Sequence, residues 1–334
     1  MDAIILVGGQ GARLRPLTLT RHKSLIPIAN RPALDHLLSW LSSFGIERAI
    51  LAMGQSQEDL VRGYPEGSWG SITITHVVEH ERLESGGAIR NAVRTAKPEG
   101  PFLVLNGDIY VDFDLQAALA AHHRTNARLT LALCPVIDPS PFGVAIVDSN
   151  SQITGFVEKP PPGTAASDLV NAGVWLFDPS LVQEIPPGAV RVEETLFPSL
   201  VGRRENVLGY CFEGLWADLG TPARYLELSQ SLVKRSGAPL LGRAVQVAED
   251  ANIEGSAIGA GSSVAEGAHV TGSVLWEDVR VEAGARIKDS VLANGVTIGA
   301  GAVVSGAVIG QGANVTVGAQ VQQGELLEPG EQRG

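Results

Sequence analysis

The rhythm of apolar positions divides the chain into two textures. From residue 1 to about 230, short apolar runs alternate with stretches of helical period, which predicts an α/β, Rossmann-like domain built on a mostly parallel sheet. Ala3-Ile4-Ile5-Leu6-Val7 predicts a buried first strand. Pro32 near a helix start, apolar residues at Leu34, Leu37, Leu38, Leu41 and Phe44, and Gly45 as a stop predict an amphipathic helix over 30–45. Further strands are predicted over 49–53, 72–78, 101–106, 129–136, 142–147, 152–157, 170–177 and 207–212, with helices near 87–96, 114–123, 192–201 and 222–234.

After about residue 240 the helical signal stops and a different period takes over. Aliphatic residues fall at Leu241, Val247 and Ile253, then at Ile258, Val264 and Val270. They recur at Leu275, Val281 and Ile287, at Leu292, Ile298 and Val304, and at Ile309, Val315 and Val321, in steps of 6, 6 and 5. A triangular coil needs one inward aliphatic residue per flat face and small residues at its corners, which Gly259-Ala260-Gly261, Ala283-Gly284 and Gly299-Ala300-Gly301 supply. The pattern predicts a parallel β-helix of about five coils. The expected domains are therefore 1–235 and 240–325.

Composition narrows the functional classes. The 334 residues carry a net charge of −11, which argues against a broad nucleic-acid footprint or an anionic membrane surface, since both need excess Lys and Arg. Phosphate chemistry would have to rely on local cations. A hydrophobic fraction of 44% excludes a disordered chain. No apolar run reaches transmembrane length and no leader pattern precedes the first strand, so cytoplasmic residence is expected. Cys134 and Cys211, far apart and in apolar stretches, predict buried free thiols.

The first strand runs into Val7-Gly8-Gly9-Gln10-Gly11-Ala12-Arg13-Leu14-Arg15-Pro16-Leu17-Thr18, with Lys23 beyond it. Glycines after a parallel strand expose backbone N–H groups to which a phosphate chain can dock. Neither a Walker A loop nor a dinucleotide fingerprint fits, because Gly-Lys-Ser/Thr is missing and Leu14 stands where a third glycine is needed. Phe102-Leu103-Val104-Leu105-Asn106-Gly107-Asp108 ends a central strand in a carboxylate. Trp216-Ala217-Asp218-Leu219-Gly220-Thr221-Pro222 places a second carboxylate just before a helix with Thr221 as its cap. Two strand-end aspartates beside a phosphate loop suggest Mg²⁺, which takes one or two carboxylates together with substrate phosphates. Gly155-Phe156-Val157-Glu158-Lys159-Pro160 offers a cation for a second anion, and Asn171-Ala172-Gly173 follows it.

Taken together these segments, spanning about 1–230, resemble the sugar-1-phosphate nucleotidyltransferases, or nucleoside-diphosphate-sugar pyrophosphorylases. The appended repeat resembles the hexapeptide left-handed β-helix that accompanies mannose-1-phosphate guanylyltransferases. The resemblance implies transfer of a nucleoside monophosphate from GTP to mannose-1-phosphate, with Mg²⁺ as cofactor. Uridylyl, thymidylyl or heptose-1-phosphate guanylyl transfer, and a catalytically silent nucleotide-sugar-binding subunit, stay open. It further implies that Leu6, Gly8, Gly9, Gly11, Arg13, Lys23, Gly86, Gly87 and Asp108 bind the nucleotide, with Leu83 to Arg90 forming the base-contacting loop. Gly143, Glu158, Lys159 and Asn171 would bind the sugar phosphate, and Gly143 would admit the sugar ring. Asp108 and Asp218 would hold the metal, while Arg13, Lys23 and Lys159 act as catalytic cations.

This chain departs from the family pattern at Ser24, where proline usually follows the lysine, and at Ala12, where Thr or Ser is common. The loop Glu84-Ser85-Gly86-Gly87 also differs from the Gly-Thr-Ala-Gly of mannose enzymes, which leaves base and sugar open. The β-helix implies a homo-oligomer. An acyltransferase reading would need a catalytic His in the repeat; His269 is the only one there, and it is expected at the surface.

Overall fold

The computed structural model describes residues 1–334 except Ser56, and its contacts group the chain into two units. One comprises Met1–Gly9 and His36–Trp216; the other comprises Gln10–Asp35 and Ala217–Gly334. This grouping cuts the chain differently from the expected 1–235 and 240–325 division. The segment after the first two glycines and the last helix before the repeat make their contacts with the repeat.

The first unit is built on a ten-stranded mixed sheet. Its centre is parallel: Phe102–Asn106, Asp2–Leu6, Arg48–Met53 and Ile72–Val78 lie side by side in that order. The strands Phe102–Asn106 and Asp2–Leu6 are covered on both faces, with Ala3, Ile4, Ile5 and Phe102 to Leu105 fully buried, whereas Ile72–Val78 mixes buried and exposed positions. The flank beyond Phe102–Asn106 is largely antiparallel, with Leu169–Phe177 pairing both Phe102–Asn106 and Leu129–Pro135. Gly143–Val147 and Ile153–Glu158 continue the edge. Val207–Cys211 adds a further parallel pairing on Leu129–Pro135, so the sheet mixes a parallel centre with antiparallel and parallel pairs on its flank.

Helix Glu84–Ala96 packs Ala88, Ile89 and Ala92 onto Ile4, Ile50, Val77 and Val104. The helix expected over 192–201 forms only over Leu196–Gly202, since residues before it are turned back onto Ser85. Short elements without a periodic signal, such as helix Glu58–Gly63 and strand Ile109–Asp112, escaped the sequence pattern. Cys134 is buried and free, with burial pushing its thiol up to about 12. Cys211, expected buried, is exposed because strand Val207–Cys211 ends there.

The second unit contains the left-handed parallel β-helix. Its short strands form two six-stranded sheets and one five-stranded sheet. The predicted register holds, with Ile258 opposite Leu275, Val264 opposite Val281 and Val270 opposite Ile287. Leu241 and Val247 occupy the expected file but are 50% and 38% exposed, because a terminal coil has a neighbour on one side only. The coils run on past Val321: Leu326–Leu327 pairs Val308–Ile309, and Gln332–Arg333 pairs Asn314–Val315. At one corner a file of buried serines braces the stack. Ser256 Oγ accepts from the Ser273 amide, Ser273 Oγ from the Ser290 amide and Ser290 Oγ from the Ala307 amide.

Candidate active site

Parallel strands bring their carboxyl ends to one edge of the first unit's sheet, and the strand-end residues meet there. The Gly107 amide donates to the Leu6 carbonyl at 2.9 Å, and the Val7 amide donates to the Ala52 carbonyl at 2.9 Å. Leu6 and Gly8 therefore sit between the strand that ends at Met53 and the strand that leads to Asp108. A Cβ on Gly8 would stand 3.6 Å from the Gly54 amide nitrogen and 3.8 Å from Glu79 Oε1. Gly9 has open space around its Cα.

Glu79, which the sequence reading passed over, lies on the same edge of the sheet. It is 6% exposed, at the carboxyl end of Ile72–Val78, and its Oε2 accepts from the Leu83 amide at 3.0 Å. Burial, the largest influence, pushes its carboxyl above the ordinary range, with the Leu83 hydrogen bond pulling the other way. A charged residue immediately after a strand on the ligand edge was the available signal.

Gly86 and Gly87 lie in the first turns of helix Glu84–Ala96, not in a loop. A Cβ on Gly86 would come within 2.8 Å of Val190, and one on Gly87 within 2.5 Å of the Gly188 carbonyl oxygen. Both glycines thus serve close packing of the helix start on residues 188–190. The same packing brings in Glu193, whose Oε2 accepts from Ser85 Oγ at 2.5 Å. Burial raises the Glu193 carboxyl; the Ser85 bond opposes that, Glu158 reinforces it and Lys159 counters it.

The expected sugar-phosphate residues cluster at the antiparallel edge. Gly143 pairs with Glu158 across the strands, and Lys159 Nζ lies 3.0 Å from Glu158 Oε1. Lys159 is half exposed and turns out of the strand with φ of +47°. A side chain at Gly143 would have no room. Phe156 Cζ and Glu158 Oε2 lie 2.6 and 2.7 Å from where its Cβ would stand, so the glycine makes room for those side chains. Asn171 sits where the strand slips register, its Oδ1 accepting from the Gly173 amide at 3.0 Å and from Trp175 Nε1 at 2.7 Å. Gly173, with φ of +74°, is required because Asn106 Nδ2 lies 2.6 Å from its Cβ position.

Gly11, Arg13, Lys23 and Asp218 belong to the second unit. Gly11 has φ of +63°, and Thr18 folds over it: its hydroxyl donates to the Gly11 carbonyl at 2.8 Å and its methyl fills the Cβ space. Arg13 is exposed on the short helix Ala12–Leu14. Lys23, 8% exposed, starts the helical turn Lys23–Leu25. Asp218 ends strand Leu215–Asp218, and its Oδ1 accepts from Arg224 Nη1 at 2.7 Å. Its Oδ2 lies 2.2 Å from where a Cβ on Gly220 would stand, so that glycine keeps a place for the carboxylate.

Among the described residues no group of three or more His, Cys, Asp or Glu converges as a metal cage. The half-buried Asp108 and the Arg224-braced Asp218 instead offer hard oxygen donors. Each carboxylate is of the hard-oxygen type that Mg²⁺ accepts beside phosphate and water. His269 is exposed on strand His269–Thr271, as expected for a residue without a catalytic role. No helix among the described residues is long and apolar enough to cross a membrane.

The chain joins a sheet with glycines and carboxylates at its strand ends to a hexapeptide β-helix, and both parts match known families. The chain belongs to the nucleotidyl transferase family, whose model matches residues 2–235. Residues 243–328 match the GlmU-like C-terminal hexapeptide family. Over 238 residues the chain is 36% identical to a mannose-1-phosphate guanylyltransferase of Mycobacterium tuberculosis, covering 70% of this chain and 65% of that protein. It is 34% identical over 230 residues to a mannose-1-phosphate guanyltransferase of Yarrowia lipolytica, covering 68% and 62% respectively. It is also 34% identical over 227 residues to the catalytic subunit beta of the Drosophila pseudoobscura pseudoobscura enzyme, covering 67% and 60%. The matched region thus spans slightly less than two thirds of each relative.

Proposed function

We propose that the chain transfers GMP from GTP to mannose-1-phosphate, giving GDP-mannose and pyrophosphate. The observation that carries this reading is the placement of Glu79 Oε1 beside Gly8, at the start of the phosphate loop. Guanine presents two adjacent donors, N1–H and its 2-amino group, which match a carboxylate; uracil and thymine present one. The names of the similar proteins support the same pair of substrates.

The reaction is in-line attack by a phosphate oxygen of the sugar-1-phosphate on the α-phosphorus, with pyrophosphate leaving. A phosphate monoester has a second pKa near ~6 and is already ionised at neutral pH, so no general base is required. The obstacle is repulsion between two polyanions, about 4 kcal/mol for each pair of unit charges ~4 Å apart at an effective dielectric near ~20. Arg13 and Lys23 hold the triphosphate and Lys159 holds the sugar phosphate, so this reading has them lower that repulsion and align the reactants. Asp108 and Asp218 would hold Mg²⁺, which supplies further neutralisation of phosphate charge when bound. Glu158 and the Asn171 amide orient the sugar hydroxyls. A homo-oligomer assembled through the β-helix and cytoplasmic residence complete the reading.

Pyrophosphate release from GTP, UTP, dTTP, ATP and CTP against mannose-, glucose-, N-acetylglucosamine- and heptose-1-phosphates, with and without Mg²⁺, tests it. GTP with mannose-1-phosphate is expected to dominate. A preference for another pair overturns the substrate assignment, and silence across the matrix overturns catalysis in favour of a nucleotide-sugar-binding subunit.

A further inference from the structure

The turn that carries Lys23 is held from one side by the β-helix and from the other by helix Pro222–Ser236, which packs on it, all within one compact unit. Two residues before Lys23, Arg21 Nη2 donates to Glu277 Oε2 at 3.1 Å, and its guanidinium stacks 4.9 Å from the centroid of Trp276. Four residues after it, the Pro27 carbonyl accepts from the hydroxyl of Tyr225 at 2.5 Å. That hydroxyl in turn accepts from Trp276 Nε1 at 2.9 Å. Tyr225 and Trp276 are 0% and 1% exposed, so water cannot replace either bond.

A third anchor lies at the tip of the ribbon that follows. Pro27–Ile28 pairs with Arg31–Pro32, and the two residues between them, Ala29 and Asn30, have φ of +49° and +63°. Left-handed backbone at both central positions of a two-residue turn suits asparagine but strains alanine. Asn30 Nδ2 offsets this by donating to the Leu240 and Ile258 carbonyls of the first two coils, each at 3.0 Å.

We propose that Trp276, Glu277 and Tyr225 are positioning residues for Lys23, so that the β-helix sets the grip of the phosphate loop on the nucleotide. The role assigned to Lys23 rests on the nucleotidyl-transfer reading above; the clamp itself does not. Its consequence is selective. Loosening the clamp weakens the hold on the triphosphate without touching the sugar-phosphate residues Glu158, Lys159 and Asn171.

The test uses the full chain with Tyr225→Phe, which leaves the Pro27 carbonyl without its donor, and Trp276→Phe, which keeps an aromatic ring but removes the N–H. Backbone amide exchange is followed across residues 17–32, and KM for each substrate is measured alongside kcat. The expected result in both variants is exchange about fivefold to tenfold faster in that segment only, with KM for the nucleotide raised by a similar factor and KM for the sugar-1-phosphate within about twofold. Unchanged exchange in the segment overturns the clamp. Faster exchange with an unchanged nucleotide KM, or with both KM values rising together and exchange rising throughout, overturns the positioning role. If the wild-type chain turns over no substrate, the transfer reading fails separately, and calorimetric binding of GTP replaces KM in deciding the clamp.

Discussion

The backbone amide of Ser24 donates to Nδ1 of His22 at 3.2 Å, closing the turn that begins with Lys23. Family members usually have proline at this position, and proline has no N–H to give. Serine here creates a donor that is 98% shielded with its residue, and His22 supplies the acceptor. The departure from the family pattern therefore comes with its own compensation.

This pair is testable by a double-mutant cycle. His22→Ala leaves the Ser24 N–H unsatisfied and is expected to destabilise the turn by about 1 kcal/mol. Ser24→Pro removes the donor as well, so His22→Ala added to Ser24→Pro should cost less than His22→Ala alone. Denaturant unfolding and nucleotide KM measured on all four chains check this; strictly additive effects would show that the bond carries no energy.

Glu79→Gln keeps the size of the side chain but exchanges one acceptor oxygen for a donor amide, which cannot accept both guanine donors. GTP binding is expected to weaken by about tenfold to a hundredfold, with UTP binding changed far less. Burial raises the Glu79 carboxyl, and only its ionised form accepts both donors. Wild-type affinity for GTP should therefore fall on acidification earlier than an ordinary carboxylate with a pKa of 4.5 would allow. Calorimetric titration of both chains across pH separates this from titration of the phosphates, which the two chains share.

Asp108→Asn removes a strand-end carboxylate without changing shape. Turnover is expected to drop by at least about a hundredfold while the melting temperature moves by no more than a few degrees. Chelation should abolish the wild-type activity and added Mg²⁺ restore it. An Asp108→Asn chain with normal turnover and normal Mg²⁺ dependence would remove Asp108 from the metal site.

His122 gives a pH-dependent stability unrelated to the site. It is 3% exposed, with Nδ1 at 2.8 Å from Thr130 Oγ1. Burial, then the neighbouring His123, lowers its pKa below the ordinary 6.5. Above pH 6.5 the residue is neutral folded or unfolded and contributes no pH dependence. Below that value the unfolded chain takes the proton first, so stability falls with pH until the folded pKa is passed. His122→Gln should flatten this part of the stability–pH curve, measured by urea unfolding between about pH 7 and pH 5.

Much of the molecule was legible in local pattern. The aliphatic steps of the repeat set the register of Ile258, Leu275 and Leu292 because each coil repeats the same backbone path and each inward position must be apolar. The strand that ends before Gly8 and the strand that ends before Asp108 were evident because buried parallel strands read as unbroken apolar runs. Period and punctuation encode conformation over a few residues, and these features need nothing more.

Neighbours distant along the chain were decided by the fold alone. Nothing in the residues around Gly8 announces Glu79, and nothing around Ser85 announces Glu193; helix packing and strand order bring them together. Nothing around Gly143 announces that Phe156 and Glu158 take up the place of a side chain there. Arg21 and Trp276 are 255 positions apart in numbering, yet they stack, because the coil corner and the phosphate loop pack into one unit. Such contacts depend on the path of the whole chain, and a free-energy difference spread over many weak contacts leaves no mark at either residue alone.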